Sequence, residues 1–268
     1  MAAREPDLHA AGPRALVTGA SSGIGEAYAR ALAARGRPLV IVARREERLA
    51  ALARELGGEA VLAVALDLAR AGAAQELAAR LEAAGIEVDL LVNNAGVGHT
   101  GPFHGQPAER LTGMIDLNVR SVVDLTRRFL PSMVARGRGS IVNVVSMSAF
   151  QPVPYLATYA ATKAFLLSFT EAIAHELAGS GVKVQALCPG NIPTGFQQIA
   201  GTERVAFNRT PPMSAADVVA ASLRALDRDD VVVIPGARDR IMVALQRFAP
   251  RSLVLRIAAG LFRPAPKA

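Results

Sequence analysis

The stretch Thr18-Gly19-Ala20-Ser21-Ser22-Gly23-Ile24-Gly25 follows a short aliphatic run, Ala15 to Val17, and leads straight into Ala/Leu/Arg-rich sequence of helical character. A strand, a glycine-rich turn and a helix start are expected in that order. Gly19 permits a tight bend, while Gly23 and Gly25 remove side chains where backbone must approach a pyrophosphate and where the helix must pack on its strand. The helix N-terminus adds unpaired amides and partial positive charge. Gly19, Ser21, Ser22, Gly23, Ile24 and Gly25 are therefore read together as a candidate phosphate-binding turn. Such a turn can be purely structural, but the strand-turn-helix setting favours a ligand.

Outward from the turn, short aliphatic runs alternate with longer helical segments. Strands are predicted at Leu39 to Ala43, Val61 to Ala65, Leu90 to Asn93, Ile141 to Val145, Val182 to Leu187 and Val231 to Ile234. Helices are predicted at Ile24 to Arg35, Glu46 to Leu56, Ala73 to Ala83, Ala108 to Ala135 and Tyr159 to Ala178. Most strand runs are continuously apolar, as strands covered on both faces are. The pattern predicts a single-domain α/β protein with a doubly wound, mainly parallel sheet of about seven strands, its ligand beyond the carboxyl ends of the strands. We place an N-terminal extension at 1–13, the main domain at 14–240 with an irregular flap at about 195–213, and a C-terminal apolar and basic segment at 241–268.

The 268 residues suffice for one such domain. Half are hydrophobic, and the net charge is +7. The arginines are scattered singly, with no basic run interleaved with aromatics, so nucleic acid is not an expected partner, whereas a nucleotide phosphate is. One cysteine, Cys188, precludes an intrachain disulfide. Met1 to Pro13 holds no apolar stretch long enough for a signal peptide, so a soluble cytoplasmic protein is expected. No metal is expected.

After the second strand, where an acidic residue often meets the ribose hydroxyls, stands Ala43-Arg44-Arg45. A guanidinium there can hold a 2′-phosphate through charge-assisted hydrogen bonds of about 1.5–3 kcal/mol each. Cations are out of place near a helix start, which favours a ligand anion nearby over solvated charges. NADP(H) is thus the expected cofactor, with NAD(H) as the alternative. Tyr159 and Lys163 lie four apart and share a helix face. An adjacent ammonium is expected to draw the tyrosine pKa down from ~10 toward neutrality. Ser146, thirteen residues earlier at the end of the fifth strand, can hydrogen-bond a substrate oxygen. Ser148 is the competing serine.

With these residues in place the chain resembles the short-chain dehydrogenases/reductases, from about Arg14 to Thr194. The ordered matches are the turn itself, Asp67, Asn93-Asn94-Ala95-Gly96, Asn118, Ser146, Tyr159-Ala160-Ala161-Thr162-Lys163 and Pro189-Gly190-Asn191-Ile192-Pro193-Thr194. The resemblance implies a Rossmann fold and hydride transfer between a nicotinamide and a ketone, aldehyde or alcohol. It implies that Tyr159 is the general acid/base, that Ser146 orients the carbonyl oxygen and that Lys163 binds the nicotinamide ribose. It also implies that Asn118 holds a relay water, that Asp67 and Leu68 meet the adenine, and that Asn94, Ala95 and Gly96 line the adenosine side. Ile192 and Thr194 would hold the carboxamide, Pro189 and Gly190 are further cofactor-binding positions, and Arg44 falls where NADP-preferring members carry a basic residue. A homodimer or homotetramer is implied too. Val145 departs from the family, which often has a second serine there. A non-catalytic NADP-binding regulator, or an epimerase or dehydratase on the same scaffold, are the alternatives.

Phe150, Pro152, Val153, Pro154, Tyr155 and Leu156, with Phe196 and Phe207 in the flap, are expected either to line an apolar substrate pocket or simply to pack their loops. Ile241 to Phe262 mixes apolar residues with Arg247, Arg251 and Arg256, and Arg263 follows it. It is no transmembrane helix, and packing on protein is favoured over contact with a membrane surface.

Overall fold

The computed structural model describes residues 12–202 and 205–264. Residues 1–11 of the N-terminal extension, Glu203 and Arg204 of the flap and residues 265–268 lie outside the described residues. Seven strands form one parallel sheet in the order β3-β2-β1-β4-β5-β6-β7. They are β1 (Arg14–Thr18), β2 (Leu39–Ala43), β3 (Val61–Ala65), β4 (Val88–Asn93), β5 (Gly139–Val144), β6 (Val182–Leu187) and β7 (Val232–Val233). The helices are α1 (Gly23–Ala33), α2 (Glu46–Glu55), α3 (Ala73–Ala83), α4 (Ala108–Ile115), α5 (Ser121–Ala135), α6 (Ala157–Glu176), α7 (Phe196–Ala200), α8 (Ala215–Asp227), α9 (Ala237–Gln246) and α10 (Arg251–Phe262). The strand order reverses between β1 and β4, and the crevice beyond their carboxyl ends is where such sheets take ligands.

The strands are mostly apolar on both sides because helices cover both. Val17, Ile41 and Val92 point into one core with Tyr28 of α1, Leu49 of α2 and Val218 of α8. Leu16, Val42 and Leu91 point into the other with Leu77 of α3 and Phe129 of α5. Two buried polar threads fix helix positions within these layers. The Tyr28 hydroxyl donates to Ser222 Oγ at 2.5 Å, and Ser222 donates on to Gln185, joining α1, α8 and β6. Asn93 and Asn143 face each other across β4 and β5. Asn93 Nδ2 donates to Asn143 Oδ1 at 2.9 Å and to Thr126 of α5, while Asn143 Nδ2 donates to Thr170 of α6 at 2.9 Å. The bond from Asn143 to Thr170 ties α6 to the sheet, although Asn93 Oδ1 in the same network is buried without a partner.

The predicted strands are all present. The single helix predicted over Ala108 to Ala135 is instead α4 and α5 joined by a π-helical turn at Asp116–Arg120. β5 ends at Val144, so Ser146 lies two residues beyond it and caps a short 3-10 turn. The flap contains α7 and a 3-10 turn at Ala206–Arg209, and Asn191 fastens it by donating to the carbonyls of Asn208 and Thr210. The C-terminal segment is two helices, separated where Pro250 starts α10, and residue 240 falls inside α9. Among the described residues no helix is long and apolar enough to cross a membrane.

Candidate active site

At the carboxyl ends of β1 and β4, Thr18 is the hub. Its hydroxyl donates to the Val92 carbonyl and accepts from the amides of Asn94 and Ala95 at 2.9 and 3.0 Å. Asn94 Nδ2 donates to the carbonyls of Thr18 and Gly19 at 2.8 and 3.3 Å. This stitching leaves no room for side chains at two glycines. A Cβ on Gly19, whose φ is +65°, would lie 2.9 Å from Ala95 Cα, and one on Gly25 would lie 2.5 Å from the Gly19 carbonyl oxygen. Ser22 stands at the N-cap of α1 without capping it. Its hydroxyl and that of Ser21 instead each accept from Arg45 Nη2 at 2.9 Å. Arg44 is exposed on the same cavity wall, and Asp67 and Leu68 follow β3 beside it.

The same cavity runs on past Gly96 to Ser146, Tyr159 and Lys163. α6 buries Tyr159 and Lys163 one turn apart, with Lys163 Nζ 5.7 Å from the centre of the tyrosine ring. The ammonium donates to the Val144 carbonyl at 2.7 Å, at the end of β5. Ser146 Oγ accepts from the Ser148 amide at 3.1 Å, which orients the Ser146 hydroxyl and makes Ser148 its support. Phe196 of α7 closes over Tyr159, ring centres 5.4 Å apart. Asn118 lies behind the wall in the π-helical turn, where it accepts from the Val97 amide and donates to the Val97 carbonyl, both at 2.9 Å, and to Thr162.

The sequence pattern of the short chain dehydrogenases matches residues 13–204. The chain belongs to the short chain dehydrogenase family. It is similar to a very-long-chain 3-oxoacyl-CoA reductase of Pyrenophora tritici-repentis, 35% identical over 74% of this chain and 61% of that one. It is also similar to an NADP-dependent 3-hydroxy acid dehydrogenase of Salmonella typhi, 40% identical over 65% of this chain and 71% of that one. Of the first fungal relatives matched, the chain spans only 59% to 61% of their length. A solved short-chain dehydrogenase from Sphingobium yanoikuyae in complex with NADPH superposes with a TM-score of 0.78 at 36% identity, over 88% of this chain and 94% of that one.

Within this family member, most residues singled out in the sequence share one cavity wall: Gly19, Ser21 to Ile24, Arg44, Asp67, Leu68, Asn94 to Gly96, Ser146, Tyr159, Lys163, Pro189, Gly190, Ile192 and Thr194. Gly25 and Asn118 sit behind the wall as supports. Arg45, Ile199 and Phe262 also line it. Of the loop residues between Ser146 and Tyr159 suggested for the pocket, Leu156 is on this wall, whereas Phe150, Pro152, Val153 and Pro154 line a separate groove against α9 and α10. Val153 also packs in the core cluster with Leu156 and Tyr159.

The electrostatics correct one expectation. Burial pushes the Tyr159 pKa up to about 12, with the hydrogen bond to Ser146 opposing it. Burial also lowers Lys163, to about 8. Between pH ~8 and ~10.5 the unfolded chain therefore binds a proton on Lys163 that the folded chain has released, so this group's contribution to stability rises with pH across that window. Compared with Lys163→Met, the wild type should gain on the order of 3 kcal/mol from pH 8 to 10.5. Denaturant melts at a series of pH values would show it, and parallel curves for the two proteins would refute it.

Proposed function

We propose that this protein is an NADP(H)-dependent oxidoreductase that reduces a bulky, apolar ketone or aldehyde, with Tyr159 as general acid. The observation that carries the reading is one continuous cavity with Ser146, Tyr159 and Lys163 at one end and a serine-arginine cluster beside a glycine-rich turn at the other. The residues fit a dinucleotide. The α1 N-terminus is not capped by its own serine, and a Cβ at Gly96 would intrude to 3.2 Å from Asn118 Oδ1 and 3.7 Å from Lys163 Nζ. Bound there, the nicotinamide supplies the hydride. Arg44 and Arg45 would hold the 2′-phosphate, the turn amides the pyrophosphate, and Lys163 the nicotinamide ribose. Ser146 donates to the substrate oxygen and keeps it within reach of the Tyr159 hydroxyl. Tyr159 holds its proton at neutral pH, gives it to that oxygen as the alcohol forms, and takes another from solvent before the next turnover.

Phe196, Ile199, Phe207 and Phe262 support an apolar substrate, and the flap at about 195–213 is its cover. A homodimer or homotetramer belongs to the same proposal, supported by Phe165, which is exposed on α6 and stacked on Phe169. A panel of ketones and alcohols assayed with NADPH and NADH side by side tests the reading. NADPH-driven reduction of bulky ketones is expected, and a preference for small polar sugars would sink the substrate class. A substrate processed without net cofactor consumption would mean epimerase or dehydratase chemistry instead. Converting Arg44 and Arg45 together to Ala should cost about 10- to 100-fold in kcat/KM with NADPH and little with NADH, and an equal loss with both cofactors would remove the phosphate assignment.

A further inference from the structure

Twelve large apolar side chains stand exposed among the described residues, and seven of them fall within Ile241 to Ile257, on α9, α10 and the turn between them. This concentration is not what packing of a surface hairpin leaves behind. α9 anchors itself through Asp239, Val243 and Gln246, the less exposed positions on one face. Ile241, Leu245 and Phe248, spaced i, i+4 and i+7, form a stripe on the opposite face, exposed 58%, 63% and 86%. Arg240 and Arg247 run along one side of that stripe. α10 repeats the plan, with Ala258 and Phe262 buried and Leu253, Arg256 and Ile257 turned outward.

Between residues 237 and 263 the chain carries six arginines and one carboxylate, Asp239. A second copy docking face to face through a two-fold axis would set arginines against arginines. A surface offering phosphates above an apolar layer takes both components at once: guanidiniums reach the headgroups while the stripe enters the acyl boundary. We propose that the α9-α10 face docks on an anionic lipid surface. Docking rests on this face alone and not on the functional reading. Its consequence does rest on that reading: α10 ends at Phe262, which stacks on Phe207 of the flap with ring centres 4.9 Å apart and lines the cavity. Docking therefore sets the cavity mouth next to the lipid phase, from which an apolar carbonyl compound would be drawn.

The test is co-sedimentation of the full chain with vesicles of equimolar phosphatidylglycerol and phosphatidylcholine, beside vesicles of phosphatidylcholine alone. Binding is expected to the anionic vesicles, at least tenfold tighter than to the neutral ones, and to weaken as ionic strength rises from about 0.05 to about 0.5 M. The triple variant Ile241→Ser/Leu245→Ser/Phe248→Ser should lose at least tenfold in partitioning while keeping the far-ultraviolet dichroism and melting profile of the parent. Arg240→Gln/Arg247→Gln/Arg256→Gln should abolish the preference for anionic lipid. No sedimentation with anionic vesicles at low salt would overturn the proposal, as would undiminished binding by the folded serine variant. A dimer that the serine variant dissociates, with no vesicle binding by the parent, would assign the face to a second copy instead and overturn it equally.

Discussion

Tyr159→Phe should lower kcat by about 10²- to 10⁴-fold, the range that a positioned general acid contributes, while leaving NADPH affinity within about twofold. The substitution removes one oxygen and little else. The ring keeps its contact with Phe196 and its place in the cluster with Val153, Leu156 and Val205, so the wall keeps its shape. What disappears is the proton that would pass to the substrate oxygen, together with the hydrogen bond to Ser146. The loss should therefore fall in kcat and not in cofactor binding. Because the chain has no tryptophan, binding is best followed by calorimetry. Ser146→Ala should give a smaller kcat loss, since Tyr159 would still hold its proton. Undiminished turnover in the phenylalanine variant would refute Tyr159 as the acid, and lost cofactor binding would mean that the tyrosine shapes the nucleotide site instead.

What the sequence made legible follows from how local each signal is. Strands buried on both faces read as unbroken apolar runs, so all seven could be located, and the glycine-rich turn sits where two adjacent elements meet. The Tyr159 and Lys163 pair is legible because one helix fixes both side chains. Arg45 could not be ranked over Arg44 by position. Its side chain is bound by Ser21 and Ser22, more than twenty residues away, and only the fold brings them together. Phe262 gave no local signal at all, because it reaches the cavity by way of a helix at the far end of the chain. The direction of the Tyr159 shift is hidden from the sequence for the same reason. Spacing reveals that an ammonium is near, but the burial of both groups, which sets the sign, is a property of the packed structure. The π-helical turn at Asn118 is not legible either, since its residues are compatible with an ordinary helix and only the backbone bond from the Ser121 amide to the Asp116 carbonyl marks the distortion.

Gly25→Ala should destabilise the protein by more than about 1–3 kcal/mol, the usual cost of overpacking, and abolish measurable cofactor binding. Helix propensity alone argues the reverse, because alanine is favoured over glycine inside a helix by about 0.8–1.0 kcal/mol. Sterics decide the sign. The added Cβ would sit 2.5 Å from the Gly19 carbonyl oxygen and against Asn94 Nδ2, far inside the ~3.5 Å at which nonbonded atoms attract. Neither neighbour can yield cheaply. The carbonyl is backbone in the turn itself, and Asn94 is the clamp that holds Thr18 and Gly19 to the end of β4. Relieving the clash means lifting α1 off the turn, which would disperse the amides at its N-terminus. Gly113 in α4 supplies the control, since a Cβ there meets nothing within 4 Å. Gly113→Ala should follow propensity and gain up to about 1 kcal/mol. Opposite shifts in thermal midpoint for the two glycine-to-alanine changes would establish that Gly25 is held by contact with the turn. Gains at both sites would show that α1 can move away from the turn without cost, and the turn would then no longer be a rigid phosphate cradle.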